Sequence, residues 1–378
     1  MKIMMVAPYF YPKIGGMENY VFNISKGLKE KYGKKIVVIT SNHKEKKYIE
    51  EEIEGIKIYR LPIWFKISNT PINPLWLFYI YRIIKKEQPD IINVHSPVPY
   101  ISDITSIVSG KIPFITTYHS GSMIKEKNIL NFLIFLYESF LLMFLFKKSI
   151  NIICYSPDYI KRNLKKYGMK VKYIPPGVDM NIFKPSNQKN TNDVLYVGRI
   201  EKNSDWKGIK YLLEAILIVK QTKSDISLRL IGSGDRIEYF KKYTKKIGID
   251  KNVKFIGVKT NKDLSKEYQL SSVTVLPSVT ESESFGIVLI EAMACKKAII
   301  GSNIGGIPYV INNKINGFLT EPKNSKQIAK AILKIISNRN LTRKLGENGY
   351  KKVKKDFTLE NQVKRTHELF TTIYEKYK

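Results

Sequence analysis

A chain of 378 residues is long for one sheet-and-helix domain and comfortable for two, each with a core of its own. Hydrophobic residues make up 43% and charged ones 26%, with no low-complexity tract, which excludes an intrinsically disordered chain. The 64 Lys and Arg against 33 Asp and Glu give +31, a balance that raises nucleic acid or an anionic membrane as partners. That charge is spread along the chain: residues 1–185 hold 28 basic and 14 acidic side chains, and 186–378 hold 36 and 19. Most are lysines in singles or pairs, such as Lys241 with Lys242 and Lys351 with Lys352, the pattern of solvated helix faces. No zinc-finger, basic-zipper or RRM-type pattern is present, so no nucleic-acid partner is expected. Cys154 and Cys295 sit far apart in apolar runs, which implies no disulfide framework and a reducing, cytoplasmic setting. His43, His95, His119 and His367 have no metal-ligand spacing with them.

In chain order, short β-branched runs alternate with longer helical patterns, the signature of parallel sheets covered by helices. The opening MKIMMVAPYFYP reads as a first strand and its loop rather than a secretory signal. Strands are predicted over 2–7, 35–40, 56–61, 91–95, 114–118, 152–155 and 171–174. The pattern pauses at Pro175-Pro176-Gly177-Val178-Asp179 and the polar run NQKNTND that follows Pro185, which has linker composition. It resumes with strands over 194–197, 227–231, 253–256, 273–276, 298–301 and 317–319. Two doubly wound domains are therefore expected, 1–185 and 186–357. A last helical segment, 358–378, has no strand after it and is free to pack back on the first domain.

The stretch 129–146, ILNFLIFLYESFLLMFLF, is apolar except for Asn131, Tyr137, Glu138 and Ser139, with lysines on both flanks. Eighteen helical residues reach roughly 27 Å, marginal for a bilayer and costly with Glu138 near the middle. A core helix and a core helix with peripheral membrane contact are both open readings, the basic flanks suiting anionic headgroups.

The sharpest constellation is PSVTESESFGIVLIEAMAC, residues 277–295. A strand ends at Pro277, a loop carries Glu281 and Glu283, and a helix is predicted to begin near Phe285-Gly286. Free N–H groups at its start form an anion site, and Gly286 lets a phosphate approach the main chain. A diphosphate there would leave Glu283 for sugar hydroxyls and Glu291 for ribose hydroxyls, both as acceptors. Glu283 as a helix cap and Glu291 as a surface charge is the bland alternative. In VGRIEKNSDWKG, Arg199 follows a strand and Lys207 precedes a helix, positions that point into the crevice at the carboxyl ends of a parallel sheet. Such cations neutralise a leaving diphosphate without metal, and no Asp-x-Asp clamp occurs in the chain.

These residues, with GG at 15–16, YHS at 118–120, PPGVD at 175–179, IGSG at 231–234, FIG at 255–257, GG at 305–306 and NGFLTEP at 316–322, make the chain resemble the retaining glycosyltransferases of family 4 over essentially its whole length. The resemblance implies the α/β GT-B fold, two Rossmann-like doubly wound domains facing across a cleft, and transfer of a hexose from a nucleotide-diphosphate sugar. It implies that Arg199 and Lys207 hold the diphosphate, that Glu291 holds the ribose, that Glu283 contacts the donor sugar, and that the main chain of Ser284, Phe285, Gly286 and Ile287 contacts phosphate and sugar. Val258, Lys259 and Thr260 would lie against the base. From the first domain, His119 would meet the donor sugar and Gly16 the diphosphate or acceptor, with Gly15 and His95 weaker acceptor-side candidates. The donor could be UDP-, GDP- or ADP-linked and the acceptor a saccharide or lipid-linked hydroxyl, as in cell-surface glycan or glycolipid synthesis. No metal or other cofactor is required, because front-face substitution lets the departing phosphate take the acceptor proton. Competing readings are a nucleotide-sugar epimerase or hydrolase of the same fold and a non-enzymatic basic membrane-associated scaffold. Two departures from the family pattern stand out, Lys296-Lys297 at a turn that usually contains Gly, and Pro176 where Asn is common before Gly177.

Overall fold

A computed structural model describes residues 1–13, 15–67, 70–119, 131–155, 170–186 and 193–378. Ser120, Gly121, the first two residues of the apolar stretch 129–146, the lysines before it and the polar run 187–192 lie outside the described residues. The chain divides into two compact units, 1–175 with 360–378, and 176–359.

The first unit holds an eight-stranded sheet of β1 (Lys2–Val6), β2 (Lys35–Ser41), β3 (Ile49–Ile53), β4 (Ile56–Leu61), β7 (Ile91–Ser96), β8 (Phe114–Tyr118), β9 (Asn151–Cys154) and β10 (Val171–Tyr173). Its order is β10-β9-β8-β7-β1-β2-β4-β3, and β5 (Phe65–Ile67) with β6 (Thr70–Ile72) forms a separate hairpin. The central strands are buried almost throughout, which is why they read as continuous apolar runs. Strand β3 escaped the sequence reading, as did the hairpin. IEEEI is a half-exposed edge strand, antiparallel to β4, and its carboxylates replace the apolar run that marks an inner strand.

The second unit holds a six-stranded, all-parallel sheet of β11 (Asp193–Val197), β12 (Ser227–Ile231), β13 (Val253–Gly257), β14 (Val273–Leu276), β15 (Ala298–Ser302) and β16 (Phe318–Thr320). Its order is β13-β12-β11-β14-β15-β16. The chain thus winds outward from β11 to β13, returns beside β11 as β14, and winds the other way. The direction reverses between β11 and β14, the place where open α/β sheets leave a crevice.

The segment after Pro175 belongs to the second unit because it is hydrogen-bonded there. Val178 N–H donates to the Phe357 carbonyl and Leu359 N–H to the Val178 carbonyl, both at 2.9 Å. A Cβ on Gly177 would stand 2.4 Å from the Thr358 carbonyl oxygen, so the PPGVD turn can close only on glycine. The division therefore falls ten residues before the boundary expected at 185. The last helix, Leu359–Tyr377, packs with the first unit. Its apolar face, Val363, Phe370 and Ile373, is buried at helical spacing, and Val363 sits where a Cβ on Gly27 would clash at 2.5 Å. Tyr32 stacks on His367 at 3.8 Å between centroids, and Lys31 pairs with Glu360 at 2.8 Å.

Two lysines differ from their sequence reading. Lys352 is no solvated charge, since its Nζ donates to the carbonyls of Tyr309 and Val310 and to Asn312 Oδ1. Lys296 takes a left-handed φ of 56°, so the turn that usually contains Gly keeps its geometry with a lysine in it.

Candidate active site

In the second unit the candidate residues follow the carboxyl ends of β11, β13 and β14, and the glycine motifs that shape their loops follow β12 and β15. After β11 come Gly198 and Arg199, then a 3₁₀ turn, Lys202–Lys207, ending at Gly208. Gly208 has φ 72°, and a Cβ there would lie 2.0 Å from the Pro277 carbonyl oxygen. The turn is thereby pressed on the loop after β14, where Val279 N–H donates to the Trp206 carbonyl at 2.7 Å. Close glycine contacts of the same kind join the other loops. Gly232 lies against the Gly198 carbonyl, Gly305 against the Glu283 carbonyl and Gly306 against the Ser284 carbonyl. The GSG and GG motifs thus fix the shape of the loops that carry Arg199 and Glu283.

This packing brings together two residues 76 positions apart. Lys207 Nζ donates to Glu283 Oε2 at 2.7 Å, with the side chains only 16% and 8% exposed. Ser278 Oγ donates to the same carboxylate oxygen at 2.8 Å. The sequence reading assigned Lys207 and Glu283 to different parts of a donor and did not pair them, nor did it give Ser278 a role. Arg199 differs from Lys207. Its side chain is 61% exposed, and its nearest carboxylate, Glu201, lies at 4.0 Å.

The helix after this loop is Ile287–Ala294, one residue later than expected, because Gly286 has a left-handed φ of 84° and cannot belong to it. No side chain caps its N-terminus. Phe285 turns into the core and meets Phe357 edge-on, which leaves only its main chain for a ligand. Glu291, on the helix, is bonded to Tyr268, whose hydroxyl donates to Oε2 at 2.6 Å. Burial pushes the Glu291 carboxyl up to about 7, the tyrosine bond pulling the other way. Tyr268 was not singled out from the sequence. It is a buried position of an ordinary amphipathic helix, Asn261–Leu270, and nothing in that spacing signals a partner 23 residues on. Val258, Lys259 and Thr260 form an exposed loop between β13 and that helix.

In the first unit, His95 is the penultimate residue of β7 and His119 follows β8. His95 Nδ1 and His119 Nε2 share a hydrogen bond of 2.8 Å, and His119 Nδ1 bonds the Tyr155 hydroxyl. Gly15 caps and Gly16 opens the helix Gly16–Tyr32, which brings Tyr20 edge-on to His119 at 4.8 Å. Burial holds both imidazoles neutral, His95 down at about 3 and His119 well below the usual histidine range, the neighbouring His95 adding to the shift. Both ring nitrogens of His119 are engaged, so a sugar hydroxyl that meets it must displace Tyr155 or His95. Tyr155 could not be found from the sequence, because an aromatic residue just past an apolar strand is ordinary core.

Among the described residues no group of three or more His, Cys, Asp or Glu side chains converges as a metal site. The arrangement in the second unit is a buried cation–carboxylate pair beside an exposed arginine and an uncapped helix start. Lys207, Arg199 and that helix can accept a diphosphate, and Glu283 and Glu291 can accept hydroxyl protons.

Known proteins place this architecture. The sucrose-phosphate synthase of Thermosynechococcus elongatus superposes with a TM-score of 0.81 at 21% identity, covering 99% of both chains. The Anabaena HepE protein, solved in complex with UDP-glucose, gives 0.75 at 18% identity over 98% of this chain and 100% of its own. The fold is GT-B. In sequence, the O-antigen chain mannosyltransferase C of Escherichia coli is 26% identical over 99% of both chains. The model for Glycosyltransferase Family 4 matches residues 14–182 and that for Glycosyl transferases group 1 matches 178–352. Matched over residues 14–352 by these two overlapping models, the chain belongs to the group 1, family 4 glycosyltransferases.

Proposed function

We propose that this glycosyltransferase moves a hexose from a nucleoside-diphosphate sugar to a hydroxyl of a saccharide or lipid-linked acceptor, with retention at the anomeric carbon. The observation that carries the reading is the Lys207–Glu283 pair at the ends of β11 and β14, where the sheet changes direction. A diphosphate reaching Lys207 and Arg199 supplies a closer anion than Glu201, which stands 4.0 Å from the exposed arginine. As it draws on Lys207, Glu283 is freed to accept from sugar hydroxyls while Ser278 holds its other contact. Glu291 takes the ribose, the main chain of Ser284–Ile287 the phosphate and sugar, and Val258–Thr260 the base. The first unit, 1–175 with the last helix, serves the acceptor, with His119, His95, Gly15 and Gly16 on its side; the second unit, 176–359, serves the donor.

In the reaction the bond from the anomeric carbon to the diphosphate oxygen breaks and a bond to the acceptor oxygen forms on the same face. The acceptor proton passes to the departing phosphate oxygen. Lys207 and Arg199 stabilise the charge that develops on that phosphate, so the residues act by preorganised electrostatics rather than as a nucleophile. The E. coli relative is a mannosyltransferase by name and HepE was solved with UDP-glucose, which supports a hexose donor. We place the enzyme in the cytoplasm, peripheral to the inner face of the membrane, in cell-surface glycan or glycolipid synthesis.

The test is a set of UDP-, GDP- and ADP-linked hexoses, read by thermal stabilisation and then by NMR of the product. Stabilisation by one nucleotide family and an unchanged anomeric configuration are expected. No stabilisation by any of them would sink the donor assignment. Rapid inversion at C2 with donor alone would replace transfer by epimerisation.

A further inference from the structure

The first unit carries apolar surface that neither its core nor the candidate site uses. Helices Trp76–Glu87, Ile101–Val108 and Leu142–Lys148 lie side by side in one layer and share one core against the sheet. Toward that core they turn Trp76, Ile80, Ile101, Leu142 and Leu145. A helix on a sheet normally keeps its other face polar. Here the other face is apolar too. On Trp76–Glu87, Leu77, Phe78 and Tyr81 are exposed on the side opposite the buried isoleucines. Ile107 of the middle helix is 63% exposed. Beyond it, Phe140, Leu141 and Phe144 stand out to solvent. Phe132, Leu133 and Phe135 continue the surface along Asn131–Leu136, which a π turn, Tyr137–Leu141, joins to the third helix. Scattered single residues of this kind are ordinary on a protein surface; three neighbouring helices that share the feature are not.

The charge on the same layer has one sign outward. Arg82, Lys85, Lys111 and Lys147 are exposed. The acidic residues of the first two helices turn in: Glu87 is buried between Lys57, Lys2 and Tyr59, and Asp103 accepts from the Tyr100 N–H at 2.6 Å. Glu138, on the π turn, is half-buried. Two cations lie over their own helix's aromatic rings, Arg82 at 4.0 Å from the Phe78 centroid and Lys85 at 5.7 Å from Tyr81. An apolar plane with cations and aromatic rings set among it matches the boundary between acyl chains and anionic headgroups. Among the described residues no helix is long and apolar enough to cross a membrane, so this surface can lie on a bilayer but its helices do not span it.

We infer that the outer face of this three-helix layer is a composite docking surface for an anionic lipid bilayer, in which helix Trp76–Glu87 contributes as much as the apolar stretch 131–148. The inference deepens the proposed function by naming the surface that carries the enzyme to a lipid-linked acceptor. It assigns contact to Leu77, Phe78, Tyr81 and Arg82, which sequence periodicity alone leaves as an ordinary amphipathic helix.

The experiment is flotation of the full chain with vesicles of phosphatidylglycerol and phosphatidylcholine, and with phosphatidylcholine alone. Binding is expected to the anionic vesicles and to weaken as salt is raised. Phe140→Ser with Leu141→Ser, and separately Leu77→Ser with Phe78→Ser, should each lower partitioning about tenfold or more. Arg82→Ala and Lys85→Ala should each lower it about fivefold. All these side chains are exposed, so nucleotide-sugar stabilisation, measured on the same samples, should stay at the parent value. That readout separates the two claims: donor binding without flotation overturns the docking surface alone, and flotation without donor binding overturns the proposed function alone. The composite surface is overturned if only the 140/141 variant loses binding. It is equally overturned if light scattering finds a dimer that the apolar variants dissolve while the parent ignores vesicles.

Discussion

The two units bring their candidate residues to the same place in the sheet, the carboxyl ends of strands beside the reversal of winding, and equip it in opposite ways. In the second unit the centre is charged, with Lys207 and Glu283 buried against one another and Arg199 open beside them. In the first unit it is neutral, a chain from Tyr155 through His119 to His95 with Tyr20 edge-on to the imidazoles. A charged pair under cover is costly unless each ion keeps its partner, whereas a neutral imidazole pair carries no such demand. The charged site therefore suits a ligand that brings its own charge and can exchange with the pair, and the neutral site suits hydroxyls.

That contrast can be broken most sharply at Lys207. Lys207→Ala leaves a buried carboxylate with only Ser278, so it should cost about 3–5 kcal/mol of stability as well as transfer activity, measured by denaturant unfolding alongside turnover. Adding Glu283→Gln should return part of the stability and none of the activity. An unaltered unfolding midpoint in the single variant would mean that the pair is not buried in solution. Arg199→Ala sharpens the same point, because nothing in the fold depends on this exposed side chain. Turnover should fall about 10²–10³-fold while stability stays within about 0.5 kcal/mol. Equal losses of stability in the two variants would erase the distinction between them.

The pH dependence of the unliganded protein should run in opposite directions for the two units. His95 has its folded value depressed to about 3, so its contribution is present above the unfolded value of about 6.5 and is lost as pH falls from there through 3. Glu291 has its folded value raised to about 7, so its contribution is present below the unfolded value of about 4.3 and is lost as pH rises through 7. Thermal unfolding followed against pH should lose part of its acid slope in His95→Gln, the buried His119 keeping the rest, and its slope between 5 and 7 in Glu291→Gln. A Glu291→Gln profile that matches the parent would mean that the carboxyl is solvated. The smallest effect is expected at Tyr155→Phe, which removes one hydrogen bond from a neutral chain. It should cost about 1 kcal/mol in stability, and it leaves His119 Nδ1 open to a sugar hydroxyl.

Much of this architecture was legible because buried parallel strands leave a strong mark. Runs such as KIVVITS and AIIGS are apolar on both faces, and sequence reading located them within a residue or two. The edge strand IEEEI left no such mark, since half of its side chains face water. The candidate site was legible as a set of residues and not as a geometry. Lys207, Glu283 and Glu291 could be named, but that Lys207 holds Glu283, or that Tyr268 holds Glu291, depends on loops far apart in the chain meeting over glycines.

By itself, then, the sequence determined the alternation of strands and helices, the division into two doubly wound units, and the residue types that a diphosphate and hydroxyls require. These follow from hydrophobic period and turn chemistry, which act over a few residues. Tertiary structure decided the pairing of Lys207 with Glu283, the closing of His119 between Tyr155 and His95, and the outward apolar face shared by Trp76–Glu87 and 131–148. Each of those depends on which surfaces the folded sheets press together and which they leave to solvent, and no local pattern in the chain carries that information.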